Sequence, residues 1–359
     1  MKLLEPFSLG SLRLPNRIAM APLARFRAAH GKIATELMAE YYAQRAGAGL
    51  IISEATEVDP RSAPAAPARP GLFNAAQSDG WARVTERVHR AGGRIFVQLT
   101  HLGRLAHPSM LNGSAVPVAP SAIATKGPAR AGQMCRGLPA PRELSLREMP
   151  RIVDHFASAA LLALEAGFDG VELHAANGHL IDQFLRSCSN RRSDAYGGSP
   201  LNRSRLLMEV AEAVCAIWGV ERVGVRLSPR SSANGMSDRN ATETFTCAVE
   251  ALDQLGIAYL HVVEPVDQKR PLVPGLRRRF GGALVVAGGY GRDAAEAAIA
   301  DDTADIVAFG ESFIANPDLP ERFRRNAPLN PLDRATIHGE GAAGYTDYPA
   351  LAAEREGCS

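Results

Sequence analysis

The sequence predicts an α/β fold of one class, a (β/α)8 TIM barrel, and three observations carry that prediction. Apolar runs of strand length recur at residues 17–21, 49–53, 94–99, 170–173, 222–227, 257–263, 283–287 and 305–309. Each is close to continuously apolar, the pattern of parallel strands covered on both faces. Between consecutive runs lie segments able to form helices, and that alternation builds a parallel sheet. With 359 residues, 46% of them hydrophobic, and short connections, residues 1–359 read as one domain of barrel size.

In chain order, the apolar residues on either side of Gly10-Ser11 predict an N-terminal hairpin that plugs the amino-terminal end of the barrel. Residues 35–46 place Leu37, Met38, Tyr41 and Tyr42 on one helical face, and residues 78–91, 148–165, 200–218, 242–255 and 292–300 follow the same spacing. Ser78-Asp79 and Asp318-Leu319-Pro320 read as helix starts, Gly167 and Gly256 as stops. After the third strand, residues 101–147 are too long and too rich in Pro and Gly for a plain connection, so they predict a lid over the barrel mouth. A second proline-rich piece, residues 59–67, leaves the second strand on the same face. The tail, residues 327–359, contains the patterned stretch from Gly339 to Pro349; it is expected to fold back on the mouth, with only its last few residues mobile.

Composition narrows the function classes. Forty basic residues against 38 acidic ones leave a net charge of +2, and no basic block marks a nucleic-acid surface; Arg277-Arg278-Arg279 reads as a solvated helix face. No apolar stretch approaches membrane-spanning length and no signal peptide is visible, so a cytoplasmic protein without membrane contact is expected. The five cysteines, Cys135, Cys188, Cys215, Cys247 and Cys358, lack any CxxC pairing, which argues against a disulfide frame and a zinc site.

Chemistry in such a barrel gathers at the carboxyl ends of the strands. There the sequence places Pro22-Leu23-Ala24, Glu54-Ala55-Thr56, Gln98 with Thr100 and His101, His174 with Asn177 and His179, Arg226, Gly288-Gly289 and Gly310-Glu311. His174 and Asn177 offer two neutral donors to one oxygen, as needed to polarise a carbonyl. Glycines after the seventh and eighth strands are suited to a phosphate, held by backbone N–H groups and a helix start. Gln98 and Arg226 suit a flat ring with carbonyls and an acidic nitrogen. Together they point to a phosphorylated heteroaromatic cofactor, best matched by flavin mononucleotide (FMN).

The chain resembles the Old Yellow Enzyme family of flavin-dependent ene-reductases along essentially its whole length. The resemblance rests on Leu14-Pro15-Asn16-Arg17-Ile18, Gly49-Leu50-Ile51-Ile52-Ser53-Glu54-Ala55-Thr56, Pro117-Val118-Ala119-Pro120-Ser121, Ser189-Asn190-Arg191-Arg192-Ser193-Asp194 and Phe313-Ile314-Ala315-Asn316-Pro317. It implies one non-covalent FMN, reduction by NADPH or NADH, and hydride delivery to the β-carbon of an activated alkene. By position Pro22, Leu23, Ala55, Gln98 and Arg226 match flavin-ring contacts, and Gly288, Gly289 and Gly310 match the phosphate cradle. His174 and Asn177 match the pair that holds the substrate carbonyl.

The departures from the family fall on the site. His179 stands where the family usually has the proton-donating tyrosine, and Ala24 where a threonine bonds the flavin. Thr100 replaces a bulky tryptophan and, with Ala68, predicts an enlarged substrate pocket; His338 replaces another tyrosine of that pocket. Glu311 occupies the position of an arginine that pairs with the FMN phosphate, so it either turns outward or weakens the cofactor. Other readings of these departures are a redox-neutral isomerase or dehydrogenase, a pseudoenzyme that has lost FMN, and a metal-dependent barrel using His101, His174, His179 and His338. The partner expected is a small-molecule substrate, and the oligomeric state, monomer or homodimer, stays open.

Overall fold

Val, Ile, Leu and Ala fill the strand-length runs, and each run forms a strand in the computed structural model, which describes residues 1–61, 69–111, 116–125 and 138–351. The barrel strands are β1 (Ile18–Met20), β2 (Leu50–Ile52), β3 (Ile95–Thr100), β4 (Gly170–Ala175), β5 (Val223–Leu227), β6 (Tyr259–Val263), β7 (Ala283–Ala287) and β8 (Ile306–Phe309). They run parallel in the order β2-β1-β8-β7-β6-β5-β4-β3, and pairing of β2 with β3 closes the ring. The outer helices are α1 (Glu36–Ala43), α2 (Ala75–Arg90), α3 (Met149–Glu165), α4 (Pro200–Trp218), α5 (Ala241–Leu255), α6 (Val273–Arg277), α7 (Arg292–Ala300) and α8 (Leu319–Arg325). Two short helices, Leu180–Leu185 and Glu311–Ala315, stand at the mouth.

Alternation along the strands splits the core in two. Ala19, Leu50, Ile52, Phe96, Tyr259, Val285 and Ile306 fill the barrel interior, while Ile18, Ile51, Val97 and Leu173 pack outward against the helices. The hairpin strands, Phe7–Leu9 and Leu12–Leu14, send Leu9, Leu12 and Leu14 into the interior cluster, as a plug requires. Two interior glycines make the filling possible: a Cβ on Gly170 would lie 2.3 Å from the Phe96 ring, and one on Gly224 would lie 2.1 Å from the Tyr259 ring.

Helix α2 corrects one expected boundary. It begins at Ala75, where Asn74 Oδ1 accepts the Gln77 N–H at 3.0 Å, and Ser78 lies inside the helix with its hydroxyl on the Leu162 carbonyl. Asn caps as well as Ser does, and Ala75 to Gln77 contain nothing that resists a helix. Helix α1 is also shorter than its apolar face suggested, ending at Ala43 ahead of Gly47 and Gly49.

The described part of the lid is anchored at its base. Val118–Ala119 pairs in parallel with Arg142–Glu143, and Arg192 Nη1 donates to the carbonyls of Pro120 and Leu144. The tail through residue 351 lies against the loop after β1 and α1; residues 352–359, like residues 62–68, Ala68 among them, and residues 112–115 and 126–137 of the lid, lie outside the described residues. Three fully or nearly buried arginines hold it. Arg25 donates to the carbonyls of Ile337 (2.8 Å) and Gly344 (2.6 Å), and Arg27 to those of Gly341 and Ala343 (both 3.0 Å). Arg45 reaches the Tyr345 carbonyl at 3.4 Å, and the Tyr345 ring stacks on Tyr41 with 4.0 Å between centroids. Cys188, Cys215 and Cys247 are free thiols, and no helix among the described residues is long and apolar enough to cross a membrane.

Candidate active site

Register stacks the polar side chains of the mouth into two layers. In the lower one Gln98 pairs with Glu172 across β3 and β4, and Gly224 pairs with both Glu172 and Tyr259. Glu172 is wholly buried and saturated: Oε1 accepts Gln98 Nε2 at 2.7 Å, and Oε2 accepts the Tyr259 hydroxyl at 3.1 Å and faces His261 Nδ1 at 2.8 Å. Burial works to raise this carboxyl, but His261, Arg226 and Gln98 hold it below the usual carboxylate value, so it is ionised. With its amide nitrogen committed to Glu172, Gln98 has its carbonyl oxygen left for another partner.

One step up, Arg226 lies in register with His174 on β4 and His261 on β6. Both Arg226 Nε and His174 Nδ1 are buried without a hydrogen-bond partner. The loop after β4 is tightly fixed: Asn177 takes φ 55°, donates its N–H to Ser228 Oγ at 2.8 Å and accepts from Asn234 Nδ2 at 2.7 Å. Gly178 N–H bonds Asp182, which Arg186 Nε holds at 2.9 Å. His179 then sits just before the helix Leu180–Leu185, its ring centroid 4.1 Å from that of His174. Thr100 Oγ1 meets His179 Nδ1 at 2.5 Å, so this position fixes the histidine ring besides freeing space. Burial above all, then neighbouring positive charge, pushes both histidines well below their ordinary value. They are neutral near pH 7.

The mouth's other side is built from glycine backbone. Gly288 has φ 145°, and a Cβ there would lie 1.9 Å from the Glu264 carbonyl; Gly289, at φ 93°, has open space where its Cβ would be. Gly310 ends β8 beside Leu23 and precedes the helix Glu311–Ala315, whose first N–H groups have no partner within the helix. Glu311 points its carboxylate to Arg334, with N–O distances of 3.1 and 2.8 Å, and both side chains are more than half exposed. Arg292 opens α7 with a buried Nε that has no partner. Pro22 and Ala55 are buried and Leu23 and Ala24 half-buried on the rim between these two sides.

His101 goes elsewhere. Its Nε2 lies 3.2 Å from Asp59 Oδ2, with His155 Nδ1 4.0 Å from Oδ1, and Asp59, His101 and His155 are the group of potential metal ligands that the described residues bring together. The Gly103 N–H donates to His101 Nδ1 at 3.0 Å, which leaves the ring proton on Nε2, facing the carboxylate. The ion pair on this carboxylate is made by Arg61, bidentate through Nε and Nη2. Burial acts to raise Asp59, but His101 and Arg61 hold it far below the usual range. This corrects the four-histidine metal alternative: His101, His174, His179 and His338 do not form a ligand group among the described residues.

Sequence reasoning missed Glu172, Asp59 and Arg69. Glu172 and Asp59 were visible as charges within or just after apolar strands, where a lone carboxylate needs a partner. Arg69 lies between a proline-rich piece and Pro70-Gly71, where it read as loop.

The family model for the NADH:flavin oxidoreductase / NADH oxidase family matches residues 2–330. The chain belongs to that family. Among curated relatives, 12-oxophytodienoate reductase 1 of Oryza sativa subsp. japonica is 40% identical, the match covering 97% of this chain and 93% of the relative. Among solved structures, the old yellow enzyme homologue from Zymomonas mobilis shares 43% identity at a TM-score of 0.94, covering 98% of this chain and all of that one. Morphinone reductase in complex with tetrahydroNAD shares 45% at 0.93, covering 98% of each chain. This Old Yellow Enzyme relative is therefore an FMN-dependent oxidoreductase, which carries hydride from a reduced nicotinamide to an activated alkene. Its residues fit the cofactor: an unpartnered buried guanidinium nitrogen, a glutamine oriented by Glu172, and two helix starts beside glycine backbone.

Proposed function

We propose that the protein is a cytoplasmic ene-reductase that uses NADPH or NADH and reduces an α,β-unsaturated carbonyl compound bound over the layer of His174 and Arg226. The observation that carries this reading is a pair of buried, unpartnered nitrogens, His174 Nδ1 and Arg226 Nε, on adjacent strands at the mouth. FMN held there would supply hydride transfer between the nicotinamide and the alkene. Pro22, Leu23, Ala24, Ala55 and Gln98 border the ring, and Arg226 stabilises negative charge beside it. Gly288, Gly289 and Gly310 cradle the phosphate with the two helix starts, while Glu311 is neutralised by Arg334 away from it.

His174 and Asn177 hold the carbonyl oxygen of the substrate and draw charge toward it. His179 is neutral, so it serves as a hydrogen-bonding relay, fixed by Thr100, through which a proton from water reaches the α-carbon. Thr100 and His338 border the substrate.

The test is the visible spectrum of protein purified without added flavin, followed by anaerobic titration with NADPH and then with an enone. Flavin bands that bleach with NADPH and return stoichiometrically with the enone are expected. Protein that stays colourless with excess FMN would sink the proposal, and repeated product formation without nicotinamide consumption would replace reduction by isomerisation.

A further inference from the structure

Arg69 follows the strand-two connection and leans into the mouth. Its guanidinium carbon lies 5.5 Å from the centroid of the Phe26 ring, which is itself 4.9 Å from the ring of His338. Phe26 adopts φ 56°, a conformation strained for an aromatic residue. Arg69 Nη1 is buried and has no hydrogen-bond partner. Through Phe26 the guanidinium stands next to His338, and behind burial its positive charge helps depress His174, His179 and His338.

Glu57 and Glu54 lie close enough to act on the Arg69 guanidinium as counter-charges, but neither forms an ion pair with it. Glu57 gives Oε2 to Lys32 Nζ at 3.0 Å, both buried, while its Oε1 has no hydrogen-bond partner. Glu54 accepts the backbone N–H of Arg25 at 3.1 Å, and burial raises its carboxyl toward the neutral form. Arg25 and Arg27 spend their donors on tail carbonyls. Among the described residues Arg69 forms no ion pair, although Arg25, Arg27 and Lys32 are buried nearby on the connection after β1. A buried guanidinium left in this condition is costly to the fold until an anion completes it.

We propose that Arg69 is the anion-binding residue of the substrate pocket, and that the substrate is an α,β-unsaturated carbonyl compound bearing a carboxylate. Its carbonyl oxygen lies at His174 and Asn177 and its carboxylate at the Arg69 fork, which matches two carboxylate oxygens with parallel donors. The assignment rests on the ene-reductase reading. In the net reaction the nicotinamide supplies hydride to the β-carbon, water supplies a proton to the α-carbon, and the carboxylate is unchanged. The phosphates of the nicotinamide offer anionic oxygens of the same kind, so the two reactants are measured apart.

The probes are an enone whose β-carbon carries a propanoate arm, insulated from the alkene by two methylenes, and the methyl ester of the same compound. Each is titrated calorimetrically into oxidised holoenzyme without reductant, for the wild type, Arg69→Met and Arg69→Lys. The wild type is expected to prefer the acid, and Arg69→Met to weaken it roughly 10- to 100-fold, the range for a charged hydrogen bond, with the ester unchanged. Arg69→Lys keeps part of the preference, and thermal unfolding confirms that each variant folds.

Stopped-flow reduction of the flavin by NADPH and by NADH is expected to be the same in all three proteins. Equal loss of acid and ester overturns the proposal. So does a loss confined to flavin reduction, which would assign Arg69 to the nicotinamide phosphates. If neither compound reoxidises reduced wild-type enzyme, the ene-reductase reading fails, and the acid-over-ester binding ratio still decides what Arg69 holds.

Discussion

The two polar layers at the barrel mouth differ in how completely their atoms are satisfied. In the lower layer Gln98 and Tyr259 donate to Glu172, with His261 reaching down to it from the Arg226 step, and among the described residues no side-chain nitrogen or oxygen of Gln98, Glu172 or Tyr259 is buried without a partner. In the upper layer His174 Nδ1, Arg226 Nε and His261 Nε2 are buried and unpartnered, as are Arg69 Nη1 and His338 Nδ1 on the loops. Buried polar atoms are nearly always hydrogen-bonded in finished structure. The saturated layer is therefore scaffold, and the unsaturated one is complementary to molecules that come and go.

The strongest attack on that contrast removes Glu172. Glu172→Leu strips the acceptor from Gln98, Tyr259 and His261 and leaves Arg226 without its buried counterion, so a loss of about 3–5 kcal/mol is expected. Urea denaturation of the holoprotein measures it; a loss smaller than that of any upper-layer variant would mean that the lower layer is not the scaffold.

Acid should act on the upper layer next. His174 and His179 are neutral in the fold, with values well below the ordinary one, whereas in the unfolded chain they take up protons near pH ~6.5. The unfolded state thus binds more protons below that pH. The stabilisation is fully present above pH ~6.5 and is lost as the pH falls toward the depressed values. Denaturation midpoints at falling pH should drop for the wild type and drop less for His179→Phe; parallel curves would remove His179 from the explanation.

Thr100→Val keeps the shape and deletes the hydroxyl on His179, at an expected cost of about 0.5–1.5 kcal/mol. Its more telling readout is reoxidation by an enone, which should slow while flavin reduction by NADPH does not. The smallest effect is expected at Glu311→Gln. An exposed pair with Arg334 contributes about 0–1 kcal/mol, so the melting temperature should hardly move and FMN should co-purify as before.

What could be read in advance follows the same division. The eight strands were legible because burial on both faces writes itself as continuous apolar runs, and β4 to β7 fall within a few residues of their expected bounds. The hairpin plug was legible from two alternating runs about one turn. The start of α2 was not, since Asn74 and Ser78 are equivalent caps until packing chooses between them. At the site, His174, Asn177 and His179 announced themselves by following a strand. The bond from Thr100 to His179 did not, because it joins residues 79 apart through the parallel alignment of β3 and β4. Arg69 was illegible for a related reason: an arginine in a loop is ordinary, and only its lack of a partner distinguishes it.

The clamp of Arg25 and Arg27 on the tail has a consequence in time. The Arg25 guanidinium emerges early in synthesis, yet the Gly344 carbonyl it binds follows 319 residues later. Until then the loop after β1, a wall of the mouth, lacks its backing, and so does α1, whose Tyr41 awaits Tyr345. The barrel ring can close when β8 meets β1, but the rim waits for the last stretch of the chain. A ribosome stalled in that interval would display a ring with an unfinished lip, so a truncated product would betray itself to a protease at the first loop rather than at its new end.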